Sequence, residues 1–250
     1  MILRSAARTD IGLQRRANED CYALAAELGL FLVADGMGGH QAGQVASTLA
    51  AEAAVGALRA LDGSRAILTE QLRCAVSAAN REIYVAAQTK PEFSGMGTTL
   101  VSLLVQGGRV ALAHVGDSRA YLIRAGGIRQ LTDDHSVVGE LVRRCEISRT
   151  EARAHPHRHV LTRALGVRRE VSPDLAELTA TPGDTFVLCS DGLTGLVRDD
   201  EIADLATGAD LDEACRELVD LANSRGGEDN ITLVIVRYEK DVADQGHQEL

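Results

Sequence analysis

The sequence predicts an α+β fold: two antiparallel β-sheets packed together, with helix pairs on the outside. Three observations predict it. Strand-like and helix-like segments fall in separate stretches of the chain, which disfavours a doubly wound βαβ fold. Several consecutive strand candidates are joined by only a few residues, too few for the crossover that parallel pairing needs. Three apolar, strand-length runs abut an acidic residue: Asp35, Asp191 and Asp229.

The elements follow in order. After a short first strand, residues 9–20 are polar and irregular. Residues 22–26 and 29–34 form a strand pair turning near Glu27. Residues 44–61 are Ala-rich, with Val45, Leu49, Ala53, Ala57 and Leu61 on one helical face, and Asp62-Gly63-Ser64 stops the helix. The helical period resumes over 66–88 through Leu68, Leu72, Ala75, Ala79, Ile83 and Ala86. Strands are predicted over 100–105, 110–115, 120–123 and 128–131, with Gly107-Gly108 and Gly126-Gly127 as turns. Residues 136–165 form a polar surface excursion with short helical patches. Strands return at 174–178 and 184–189. Helices follow at 199–206 and 211–224, the second opened by Asp210 and Glu213 as a capping box. The last strand is 231–238, and 241–250 is a loose polar tail. With no repeat and no composition break, residues 1–240 read as a single domain.

Composition narrows the function. The chain has 250 residues, 45% hydrophobic and 25% charged, enough for a core without disulfides. A net charge of -10 argues against nucleic acid as the main partner. The five scattered cysteines read as free thiols in a reducing cytoplasm. Neither a signal peptide nor a membrane-length apolar run occurs, so a cytoplasmic location is expected, although the chain could be part of a longer protein; separately, a monomer is expected.

A single Asp-Gly is ordinarily a turn. Here Asp35 and Asp191 each precede a glycine at a strand end, and Asp229 stands before the last strand. Glu19-Asp20 and Gly116-Asp117-Ser118 add further acids. Mg²⁺ and Mn²⁺ take oxygen ligands, so a few carboxylates with water suffice. Two such ions sharing one carboxylate can generate a nucleophile for in-line attack on phosphorus.

Eight segments, in order, carry a more specific signal. They are Arg15-x-x-Asn18-Glu19-Asp20, Val33-Ala34-Asp35-Gly36-Met37-Gly38-Gly39-His40, Gly97-Thr98-Thr99, His114-Val115-Gly116-Asp117-Ser118-Arg119, Leu131-Thr132-Asp133-Asp134-His135-Ser136, Thr162-Arg163-Ala164-Leu165-Gly166, Ser190-Asp191-Gly192-Leu193 and Glu228-Asp229-Asn230-Ile231-Thr232. Together they resemble the metal-dependent protein phosphatases of type 2C, in their bacterial branch. The resemblance implies a four-layer αββα sandwich with the metal centre at one end. It also implies Mn²⁺- or Mg²⁺-dependent hydrolysis of phosphoserine and phosphothreonine by a metal-bridging hydroxide, opposing Ser/Thr kinases on phosphorylated protein partners. By the same resemblance, Asp35 bridges two ions, the Gly36 carbonyl serves the second, and Asp191 and Asp229 serve the first. Glu19 and Asp20 stand near the second ion, one of them acting through water. Asp117, with Asp191, matches a weaker third metal position. Arg15 matches the phosphate-gripping arginine and His40 the proton donor to the leaving group. Residues 136–165 match the flap beside the active site.

Other residues invite weaker readings. Arg16 reads as a surface charge, and His155, His157 and His159 as surface residues. His114 reads as a core histidine, His135 as a loop-ordering group, and Ser118 and Arg119 as loop-fixing groups. Cys145 stands where bacterial relatives often carry glycine. With Asp35, Asp191 and Asp229 all present, a non-catalytic binding module of the same fold is disfavoured.

Overall fold

A computed structural model of the chain describes residues 2–38, 41–61 and 66–239. His40, the helix stop at 62–64 and the tail at 241–250 lie outside the described residues.

One sheet contains β1 (Ile2–Asp10), β11 (Ile231–Glu239), β10 (Thr185–Cys189), β7 (Arg119–Arg124) and β8 (Gly127–Gln130), in that spatial order. The other contains β2 (Asp20–Ala25), β3 (Leu30–Met37), β5 (Leu100–Gln106), β6 (Arg109–Val115) and β9 (Asp174–Thr179), with β4 (Gly97–Thr98) paired to the end of β3. The pairings are antiparallel, as the short connections require.

The strands read as continuous apolar runs because both faces of each sheet are covered. Phe31 and Val33 of β3 meet Phe186 and Leu188 of β10 and Val234 of β11 between the sheets. Leu30, Leu32 and Ala34, on the opposite face, pack under α1 (Gln41–Ala60) and α2 (Leu68–Thr89). Val187, Leu233 and Ile235 pack under α6 (Asp199–Ala206) and α7 (Leu211–Ser224). Each buried Val, Leu, Ile or Phe among them contributes about 1.5–3 kcal/mol.

The buried stripe of α1 is Ala42, Gly43, Ala46, Ser47, Ala50, Ala51, Ala54 and Leu58, one residue on from the expected face. Small residues stand at the closest approach to the sheet. Val45, Leu49, Ala53 and Ala57 flank it, half-buried. In α2 the expected face holds. At the start of α7, Asp210 accepts from the N–H groups of Asp212 and Glu213 and so caps the helix, but the Glu213 carboxylate pairs with Arg216, which leaves the expected capping box half formed.

The excursion carries α3 (Val137–Arg143) and α4 (Arg149–Arg153), and a one-turn helix, α5 (Asp191–Thr194), follows β10. Ser148 and Glu151 form a full capping box on α4. The end of β3, the start of β2, the end of β10 and the start of β11 meet at one end of the sandwich.

Candidate metal centre

Asp35 ends the apolar part of β3, directly across from Asp20 on β2. The Gly97-Thr98-Thr99 segment holds its backbone in place. The Asp35 N–H donates to Thr99 Oγ1 at 2.9 Å, and the Asp35 carbonyl accepts from Thr98 Oγ1 at 2.8 Å and from the Thr99 N–H at 2.9 Å. Thr99 Oγ1 also meets Ser118 Oγ at 2.7 Å, which ties the Asp35 strand to the loop bearing Asp117. Ser118 is thus loop-fixing, as expected.

Gly36 and Gly43 let the first turn of α1 approach this strand end. A Cβ on Gly36 would lie 2.1 Å from the Gly43 carbonyl and 2.5 Å from that of Glu19. A Cβ on Gly43 would meet Glu19 Oε2, so the Glu19 carboxylate passes over the start of the helix. Asp20 turns the other way, accepting from Ser190 Oγ at 2.8 Å. Ser190 links the neighbouring strand ends, since its Oγ also accepts from the Thr232 N–H at 3.0 Å.

Asn230 has a task that its motif does not announce. It accepts from the Glu19 N–H at 2.8 Å and donates to the carbonyls of Ile11 at 2.9 Å and Ala17 at 3.0 Å. That one amide fixes the loop carrying Arg15 to the strand start carrying Asp229. Arg15 Nη2 donates to Asp229 Oδ2 at 2.6 Å.

The electrostatics are severe. Burial, reinforced by Asp20, Asp191, Asp117 and Asp229, holds the Asp35 carboxyl well above the usual carboxylate range. Burial, with Asp191 and Asp229 adding to it against hydrogen bonds from Thr232 and Ser190, pushes Asp20 up to about 7. Asp117 is raised by burial, then by Asp191 and Asp134. Burial and Asp191 raise Asp229, while the Asn230 N–H and Arg15 oppose them. Asp20 Oδ1 and Asp191 Oδ1 are buried with no hydrogen-bond partner. Five carboxylates this close, two with orphaned oxygens, fit divalent cations as counter-charge. The oxygen-only donor set suits Mg²⁺ or Mn²⁺.

The structure therefore brings Asp20, Asp35, Asp117, Asp191 and Asp229 together, with Glu19, Gly36 and Arg15 beside them. Arg16 is exposed. His159 was expected to be a plain surface residue. It is exposed, yet its Nδ1 lies 3.7 Å from Asp191 Oδ2. No sequence signal marks that approach, which depends on how the excursion folds.

A second cluster, His114, His135 and Asp174, has side-chain ligand atoms close enough to hold a cation. Its hydrogen bonds argue otherwise. His135 Nδ1 accepts from the Gly116 N–H at 3.1 Å, so Nε2 carries the proton and donates to Asp174 Oδ2 at 3.1 Å. His114 stacks on it at 4.4 Å and bonds the Asp133 carbonyl at 2.9 Å. The pair orders the loop before Asp117, as expected for His135, and buries His114.

A cleft of about 970 Å³ opens over the acids, walled on one side by α3 and α4. Its floor includes Arg15, Asp117, Asp191 and Asp229.

Known proteins resemble the chain along most of its length. The family model for protein phosphatase 2C matches residues 10–231. The serine/threonine phosphatase stp of Listeria monocytogenes is 41% identical over 248 residues, covering 96% of each chain. PstP of Mycobacterium tuberculosis is 42% identical over 237 residues, which is 94% of this chain and 45% of that protein. The crystal structure of the M. tuberculosis phosphatase PstP/Ppp superposes with a TM-score of 0.88 at 41% identity, covering 96% of this chain and all of that one. A structure of the PstP catalytic domain in complex with two manganese ions gives a TM-score of 0.85 at 40% identity, covering 95% of this chain and 99% of that one.

Proposed function

Because the chain belongs to the protein phosphatase 2C family, we propose that its acidic cleft hydrolyses phosphoserine and phosphothreonine in proteins, with two divalent ions, Mn²⁺ or Mg²⁺, as cofactors. The observation that carries this reading is the convergence of five carboxylates with two orphaned buried oxygens. We assign Asp35 to both ions, Asp191 and Asp229 to one, and the Gly36 carbonyl to the other, with Glu19 and Asp20 beside it. Asp117, together with Asp191, serves a weaker third position.

Bound there, the ions supply Lewis-acid charge compensation and water activated as the nucleophile. The remaining tasks fall to the chain. Arg15, whose planar guanidinium suits two phosphate oxygens, grips and orients the phosphoryl group. His40 gives a proton to the departing seryl or threonyl oxygen, a poor leaving group without it. The Thr98-Thr99 contacts keep Asp35 in register, and Asn230 keeps Arg15 beside Asp229. No nucleophilic role falls to a cysteine: Cys189 is buried and its thiol is pushed up to about 12 by that burial.

In the cell this activity opposes Ser/Thr protein kinases. The domain extends over residues 1–240 and acts as a monomer in the cytoplasm. Among the described residues, no helix is long and apolar enough to cross a membrane. The test is hydrolysis of a phosphothreonine peptide and an aryl phosphate with and without Mn²⁺. Turnover that survives exhaustive EDTA treatment would overturn the two-ion reading. His40→Ala is expected to cost more on the peptide than on the aryl ester, and equal losses would remove the proton-donor role.

A further inference from the structure

The protein carries a net charge of -10, yet residues 137–163 hold six arginines against three glutamates and no aspartate. The fold sorts these charges by direction. Arg143, Arg149, Arg153 and Arg158 line the cleft. The three glutamates do not. Glu140 pairs with Arg144, and Glu151 is used in the capping box with Ser148. Arg163, off the cleft, is bound to Asp174 and to the Ser172 carbonyl. The wall facing the acidic centre is therefore cationic.

Those arginines are weakly engaged. Arg149 stands 4.0 Å from Asp199 and Arg158 3.8 Å from Glu228, both beyond hydrogen-bond length. Among the described residues, no carboxylate lies within ion-pair distance of Arg153. Arg143 donates to the Asp134 carbonyl and so anchors α3. Exposed pairs of this kind contribute little, so an incoming anion displaces them at small cost. Arg149 and Arg153 are four apart on α4, which places their Cβ atoms about 6 Å from each other on one face. Two guanidinium groups so spaced can close on one carboxylate or phosphate.

We infer that α4 forms an anion subsite, Arg149 with Arg153, that binds an acidic or second phosphorylated side chain flanking the phosphoresidue, so that the enzyme selects acidic or multiply phosphorylated segments. This rests on the phosphatase reading above and adds a substrate preference to it. The metal centre acts on the phosphoryl group alone, and the cationic wall reads what lies next to it.

Three phosphothreonine peptides test the subsite, identical except for flanking alanines, flanking glutamates or one further phosphothreonine. In the parent protein with Mn²⁺, kcat/KM for both anionic flanks is expected to exceed that for alanine flanks by about tenfold or more, mostly through KM. High salt should shrink the ratio. In the Arg149→Ala/Arg153→Ala double variant the ratio should fall close to one. Arg149→Lys/Arg153→Lys should keep part of the preference for glutamate and less of that for phosphate, because lysine cannot present a planar fork. A parent ratio near one, or a ratio that persists in the alanine variant, would overturn the proposal. Enhancement by glutamate alone would show a carboxylate subsite, and enhancement by phosphothreonine alone a phosphate subsite; either supports it. Absence of Mn²⁺-dependent turnover on all three peptides and on an aryl phosphate would instead sink the phosphatase reading itself.

Discussion

Arg15 Nη2 donates to Asp229 Oδ2 at 2.6 Å, so one carboxylate serves both a guanidinium and the acidic centre. The proposed phosphate grip and a proposed metal ligand are thereby coupled. Arg15→Ala should raise KM for a phosphopeptide by about tenfold or more with a smaller change in kcat, as the loss of a charge-assisted contact implies. Steady-state kinetics at saturating Mn²⁺ would show it. A change confined to kcat would remove Arg15 from substrate binding.

Mutual repulsion among the five carboxylates makes a separate prediction. Asp35→Asn should lower turnover by at least about 10²-fold, because it removes a shared ligand. In EDTA the same variant should melt higher than the parent, since one member of the repelling set is neutral. A domain of this size gains about 2–4 °C per kcal/mol. Mn²⁺ should raise the parent Tm and barely move that of the variant. Differential scanning fluorimetry with and without Mn²⁺ reads both effects.

The stacked His114–His135 pair sets an acid limit on stability. Burial holds both imidazoles below their ordinary value. Arg163 pushes both the same way, while Asp174 pulls both up and Asp134 pulls His114 up. A group harder to protonate in the folded state takes up its proton on unfolding. The stabilisation is therefore complete above about pH 6.5 and is lost as pH falls below it. Melting curves between pH 8 and 5 should show Tm falling in that window, with a shallower fall in His114→Gln. An unchanged slope in that variant would place the titration elsewhere.

Cys145 sits in the left-handed region at φ 57°, just past α3. The Glu146 N–H donates to the Leu141 carbonyl and the Cys145 N–H to that of Val142, the Schellman pattern that glycine usually closes. Cys145→Gly should stabilise this helix end by about 0.5–1 kcal/mol, net of glycine's entropy cost. Amide exchange at Glu146 should slow by about two- to fivefold if local opening dominates.

Much of this site was legible in the sequence because its chemistry stands at strand ends. An apolar run stopping at Asp35 or Asp191 announces both the strand and the acid at its end. What could not be read was long-range. Thr99 acts on Asp35 across 64 positions, and Asn230 on Ala17 across 213. Nothing local marks either partner. The register of α1 is ambiguous in the sequence for a different reason: with alanine at so many candidate positions, several faces satisfy the same period. His159 reaches Asp191 through a fold of the excursion that no periodicity encodes.

Strand β11 lies between β1 and β10, so the last strand enters the middle of its sheet rather than an edge. Asp229 and Asn230 immediately precede it. During synthesis, every earlier acid emerges from the ribosome before the strand that completes the sheet. A product truncated before Asp229 lacks both that carboxylate and the strand that joins β1 to β10. Non-local closure of this kind is slow. The same short segment of chain thus completes both the sheet and the acidic centre.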